Sequence, residues 1–176
     1  MKKCLKKTLN GLCKLITIKN IAIVSVVLFI LILTPLFLCS FVNRAAGDDF
    51  GYGALTRAAW ESSHSIINVL KESCNHVRGT YHSWQGTWFS VFLFTLQPEV
   101  FHKDAYVIVA FLMLFLLIFS TWLLLKKVLN DKLGIDKWST VLITVIFLGL
   151  TISFIPRIQP AFYWFTGAAH YMIPFS

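Results

Sequence analysis

Two adjacent carboxylates in a glycine-rich run are the first residues of this chain that could do chemistry: Gly47-Asp48-Asp49-Phe50-Gly51-Tyr52-Gly53. Paired carboxylates can act as a general base or hold a divalent cation, and glycine lets backbone turn tightly and approach a ligand. The same run also reads as a solvated acidic turn at a helix end. A second cluster is Tyr81-His82-Ser83-Trp84-Gln85-Gly86-Thr87-Trp88-Phe89. Aromatic faces beside an amide suit sugar recognition. An interfacial aromatic belt accounts for the Trp and Tyr residues but not for Gln85-Gly86. The third cluster runs from Arg157 through Gln159 and Trp164 to His170 and Tyr171. Arg157 suits a phosphate or an anchor at the end of a span, and His170 without a second ligand at metal spacing does not make a zinc site. There is no P-loop, no G-x-G-x-x-G and no Ser-His-Asp order, so soluble nucleotide chemistry has no support.

The elements that must hold these clusters are apolar. Of 176 residues, 57% are hydrophobic and 14% charged, against about 25% charged in an ordinary soluble domain. Ile21–Val42, Ala105–Leu125 and Trp138–Pro156 carry no charge. At 1.5 Å per residue the first is about 33 Å long as a helix, enough for the hydrocarbon core of a bilayer. Without water to satisfy backbone groups, such runs must be helical, and Pro35 is tolerated as a bend. Ile21–Val42 is too long for the apolar region of a signal peptide.

Charge sets the orientation. Lys2, Lys3, Lys6, Lys7, Lys14 and Lys19 precede the first span without an acid, and Lys126, Lys127, Lys132 and Lys137 lie between the second and third. Lysines flanking apolar spans are topology signals first, which disfavours nucleic acid as the partner of this basic chain (net charge +8) and favours the lipid bilayer. The expected fold is an all-α membrane protein: a cytoplasmic tail 1–20, spans 21–42, 105–125 and 138–156, a cytoplasmic loop 126–137, a large helical outer loop 43–104, and an outer aromatic segment 157–176 that could open an incomplete fourth span. In the outer loop, apolar steps from Leu55 to Val77 predict an amphipathic helix over Ala54–Val77 with Gly79 as its cap. Trp84–Leu96 predicts a second, interfacial helix. The cysteines Cys4, Cys13, Cys39 and Cys74 form no C-x-x-C pair and indicate no disulfide framework.

In order, Gly-Asp-Asp-Phe-x-Tyr, then Tyr81-x-x-Trp84-x-Gly86, then Gln159-Pro160-x-x-Tyr163-Trp164-x-x-Gly167 resemble a bacterial family of multi-pass GT-C-type glycosyltransferases. The resemblance runs from about residue 20 to Ser176. It implies a plasma-membrane enzyme that takes a sugar from a polyprenyl-phosphate donor at the outer face. By that carry-over Asp48 or Asp49 is the base or metal ligand, with a divalent cation as the one cofactor left open. Tyr52, Tyr81, Trp84, Gln85 and Gly86 would line the sugar or acceptor cavity, and Arg157, Gln159, Trp164, His170 and Tyr171 its far wall. Thr87 stands where many relatives have arginine, and members have roughly three times as many spans, so the chain is expected to be the N-terminal part of something longer, its activity alone left open. The alternative is a small non-enzymatic membrane protein that assists a larger membrane complex.

Overall fold

Helix-forming apolar runs dominate the chain, and every element of the computed structural model is helical across the residues it describes, 16–175. The lysine tail before Ile16, with Cys4 and Cys13, lies outside the described residues. The helices are α1 (Ile18–Ser40), α2 (Asp48–Ser63), α3 (Ile66–Ser83), α4 (Trp88–Thr95), α5 (Ile108–Leu125), α6 (Lys137–Ser153) and α7 (Phe165–Tyr171). Two stretches are long and apolar enough to cross a membrane by length and composition: Ile18–Ser40 and Ala105–Lys132. The second is α5 extended by a one-turn 3₁₀ segment, Ala105–Val107, and by a π-helical run, Lys126–Lys132. Much of the expected loop 126–137 is therefore helical. The third expected span is the 17-residue α6, shorter than the other two.

The chain divides into two compact units, one of residues 1–35 and 118–154 and one of residues 36–117 and 155–176. In the first, α6 buries Thr140, Thr144, Leu148 and Ile152, a ridge at four-residue steps. Thr144 and Thr140 donate to backbone carbonyls one turn back, Thr140 and Asp136 respectively. Each satisfies its hydroxyl locally, so the ridge buries no orphan polar group. Asp136 caps α6 by accepting from the backbone N–H groups of Trp138 (2.9 Å) and Ser139 (3.1 Å). Lys19 places its ammonium 5.4 Å from the Trp138 ring centre.

In the second unit the single helix expected over Ala54–Val77 is instead two, α2 and α3. The hydroxyls of Ser62 and Ser63 fold back onto the Ala59 carbonyl, a local bond that competes with the helical ladder. His64 then turns left-handed (φ 45°) while its N–H closes on the Trp60 carbonyl at 2.7 Å. The predicted apolar steps lie outside the packed core: Leu55, Ile66, Leu70 and Cys74 are exposed. Gly79 does not end α3, which continues to Ser83. The interfacial stretch 84–96 contributes only α4. The terminal aromatic segment forms a π turn, Gln159–Tyr163, and α7, whose residues 165–169 are buried.

The core of this unit mixes Val69, Val91, Phe94, Tyr106 and Phe162 with fully buried polar residues. Thr56 donates to the Thr95 carbonyl at 2.7 Å and the Ser73 and Thr95 hydroxyls bond to each other. Gln97 donates to the Asp49 carbonyl. Small hydrogen-bonded side chains let α2, α3 and α4 approach closely, and Gly53 shows how closely: a Cβ there would sit 2.3 Å from the Gln97 amide nitrogen.

Candidate functional site

Gly47 (φ 55°) turns the chain into α2 and separates the fates of the two aspartates that follow. Asp49 is fully buried. Its Oδ1 accepts from the Thr166 backbone N–H (2.9 Å) and the Thr166 hydroxyl. Its Oδ2 accepts from the Tyr106 hydroxyl and from the Ala46 backbone N–H (3.3 Å). Tyr106 in turn accepts from the Phe165 N–H at 2.8 Å. A carboxylate with four donors has met the cost of burial. Asp49 thereby ties the start of α2 to the start of α7 and to the segment before α5.

Asp48 is exposed, in the first turn of α2, where the helix N-terminus favours a negative charge. It opens on a cavity of about 190 Å³ together with Tyr52, Trp84, Gln85, Trp164, His170 and Tyr171. These seven residues come from all three clusters picked out in the sequence. A wider recess of about 450 Å³ shares Asp48, Tyr52 and Trp84 and adds Gly51, His76 and Thr80. Rings form a continuous wall: Tyr52 lies 5.6 Å from His76 and 5.0 Å from Phe94, Phe94 is 6.0 Å from His170, and His170 is 5.0 Å from Tyr171. Burial, then the nearby Asp48 charge, raises the Tyr52 phenol above its ordinary pKa, so it stays a neutral hydrogen-bonding group.

Two cavity residues carry a buried nitrogen without a protein partner, Trp164 Nε1 and His170 Nδ1. An unpaired buried donor costs about 1–3 kcal/mol, and a ligand that accepts from the indole and pairs with the imidazole would remove that cost. The packing of the Trp164 ring depends on Gly167: a Cβ there would strike the ring at 2.6 Å and the Pro160 carbonyl at 2.9 Å, whereas one on Gly47 would make only ordinary contact with the indole nitrogen at 3.9 Å.

The other sequence candidates lie elsewhere. Tyr81 faces an apolar groove between α3 and α4, and Gly86 sits beside the Tyr81 ring rather than in the cavity. Arg157 and Gln159 are exposed and do not line the cavity; the Gln159 carbonyl accepts from the Trp164 N–H at 2.9 Å. His76 on the recess and Phe94 and Thr166 on the cavity were not singled out in the sequence, since a lone His, Phe or Thr is uninformative without its neighbours, whereas Gly167, which closes the third motif, does line the cavity. Among the described residues no three His, Cys, Asp or Glu side chains converge as a metal site. The two aspartates do not pair as cation ligands, because all of Asp49's partners are protein donors. No family model, curated protein or solved structure matches this chain.

Proposed function

We propose that this chain spans a membrane with α1, α5 and α6, with its lysine-rich loop inside, and that the Asp48 cavity is the sugar-handling site of a GT-C-like glycosyl transfer at the outer face of a bacterial plasma membrane. One observation carries the reading: Asp48 and residues of two aromatic clusters from distant stretches of sequence converge on one small polar cavity. Its composition suits a neutral polyhydroxylated ligand. Carboxylate, phenol, amide and imidazole exchange hydrogen bonds with hydroxyls, while ring faces cover the apolar face of a sugar. A cavity with few convergent polar groups and a carboxylate is also where acid–base chemistry is expected. The outward-facing apolar side chains of α1 and α5, such as Leu31, Ile32, Phe115 and Leu124, support the membrane assignment, because lipid bears them without cost.

In this reaction Asp48 takes the proton of the acceptor hydroxyl. That oxygen bonds to the anomeric carbon as the bond from the anomeric carbon to the polyprenyl-phosphate oxygen breaks, and the phosphate leaves with the electron pair. Asp48 is the carboxylate on the cavity and acts as base; Trp164, His170 and Gln85 orient the sugar. Positioned general-base catalysis contributes about 10²–10⁴-fold. Membranes holding the protein, supplied with polyprenyl-phosphate-linked radiolabelled sugars, should transfer label, and Asp48→Asn should lower the rate by about that factor. Undiminished transfer by Asp48→Asn would remove the assignment.

A further inference from the structure

The second unit is patterned inside out along α3 and α4. On α3 the packed face is Val69 and Ser73, both fully buried, with His76 and Thr80 half-buried. Its larger apolar residues point the other way: Ile67 is 78% exposed, Leu70 39% and Tyr81 55%. Trp88 and Phe89 continue that face at 60% and 54% exposure. Between α3 and α4 an apolar groove of about 550 Å³ deepens it. Hydroxyls are thus bonded inside while indoles and aliphatic chains are outside, the reverse of what water selects.

Charge identifies the occupant. Lys71, Arg78 and His82 follow one another at seven- and four-residue steps, which places them in one row along α3 beside the apolar strip. No acidic residue falls on that row. Glu72 is rotated off it and accepts from the Asn75 amide at 3.3 Å. An apolar strip rich in Trp and Tyr with a basic flank fits the boundary between acyl chains and anionic headgroups, where indole rings settle and cations pair with phosphate. We propose that this α3–α4 face rests in the surface of the bilayer, its strip among the upper acyl chains and its basic row on anionic headgroups. The proposal rests on the membrane reading above but not on the sugar site.

Cys74 lies on this groove and is exposed, so it reports directly. The full chain with Cys4, Cys13 and Cys39 replaced by Ser is spin-labelled at Cys74 and reconstituted in phosphatidylcholine vesicles with or without phosphatidylglycerol. Collision of the label with oxygen is compared with collision with a water-soluble nickel complex. Leu31→Cys on α1 marks insertion and Glu61→Cys on α2 marks water; both positions are exposed. The expected result is a Cys74 label that favours oxygen several-fold over the Glu61 label. It should sink deeper when phosphatidylglycerol is present, and Lys71→Gln with Arg78→Gln should abolish that deepening. A Cys74 label that favours nickel while the Leu31 label favours oxygen overturns the proposal and leaves the membrane reading standing. A label reached by neither reagent overturns it in favour of a protein partner. A Leu31 label in water overturns the membrane reading and this proposal with it.

Discussion

Asp48 and Asp49 are neighbours in the chain and opposites in the fold. Asp49 is sealed among Ala46, Tyr106 and Thr166 with all its bonds made within the protein. Asp48 looks into an open polar cavity. One helical step turns a side chain by about 100°, enough to send the first carboxylate outward and the second into the core. Identical chemistry therefore yields a structural tie in one case and a cavity-facing carboxylate in the other, and the tie holds α7, with its cavity-lining rings, against α2.

The contrast is sharpest in stability. Asp49→Ala strands the Tyr106 and Thr166 hydroxyls and the Thr166 N–H in the interior and leaves the half-buried Ala46 N–H unpaired. At about 1–3 kcal/mol for each unsatisfied group, the loss rivals the whole stability of an average domain, about 5–15 kcal/mol. The expected outcome is a protein that does not accumulate in expressing cells, read by quantitative immunoblot, while Asp48→Asn accumulates like the parent. Equal accumulation of Asp49→Ala would break the comparison.

A smaller effect is expected at Gly167, where α7 packs on the Trp164 ring. Gly167→Ala forces a methyl against the Trp164 ring and the Pro160 carbonyl. Overpacking of this kind costs about 1–3 kcal/mol. It should lower thermal stability and displace the indole that serves the cavity, seen as a shift in tryptophan emission that Gly51→Ala, with open space around its Cβ, does not produce.

The smallest effect lies in the first unit, at the cap of α6. Hydrogen bonds from the Ser139 hydroxyl, then from the Ser139 and Trp138 backbone, hold the Asp136 carboxyl below its ordinary pKa. A depressed folded pKa means its contribution is present above the ordinary carboxylate range and is lost as pH falls through the folded value. Amide exchange at Trp138 and Ser139, corrected for its intrinsic pH dependence, should accelerate modestly on acidification, and Asp136→Asn should flatten that response.

Much of this was legible without coordinates. The charge-free apolar runs are helical, as expected where backbone groups must bond within their own segment. Chemistry-bearing residue types also announced themselves: the residues now on the cavity come from the Asp48–Tyr52, Trp84–Gln85 and Trp164–Tyr171 stretches. Periodicity misled at Ala54–Val77, because serine hydroxyls can outcompete the helical ladder locally and a moment of hydrophobicity does not say which face meets protein and which meets something else. What the amino-acid sequence determined by itself was therefore local: helix content, apolar length, charge placement and the kinds of side chain on offer. Only the tertiary structure decided which of two adjacent aspartates is exposed, that Tyr81, Gly86, Arg157 and Gln159 stand apart from the cavity, that Phe94 belongs to it, and that His76 lines the adjoining recess. Those choices depend on contacts between residues as far apart as Asp49 and Thr166, and separation along the chain carries no information about them until the helices pack.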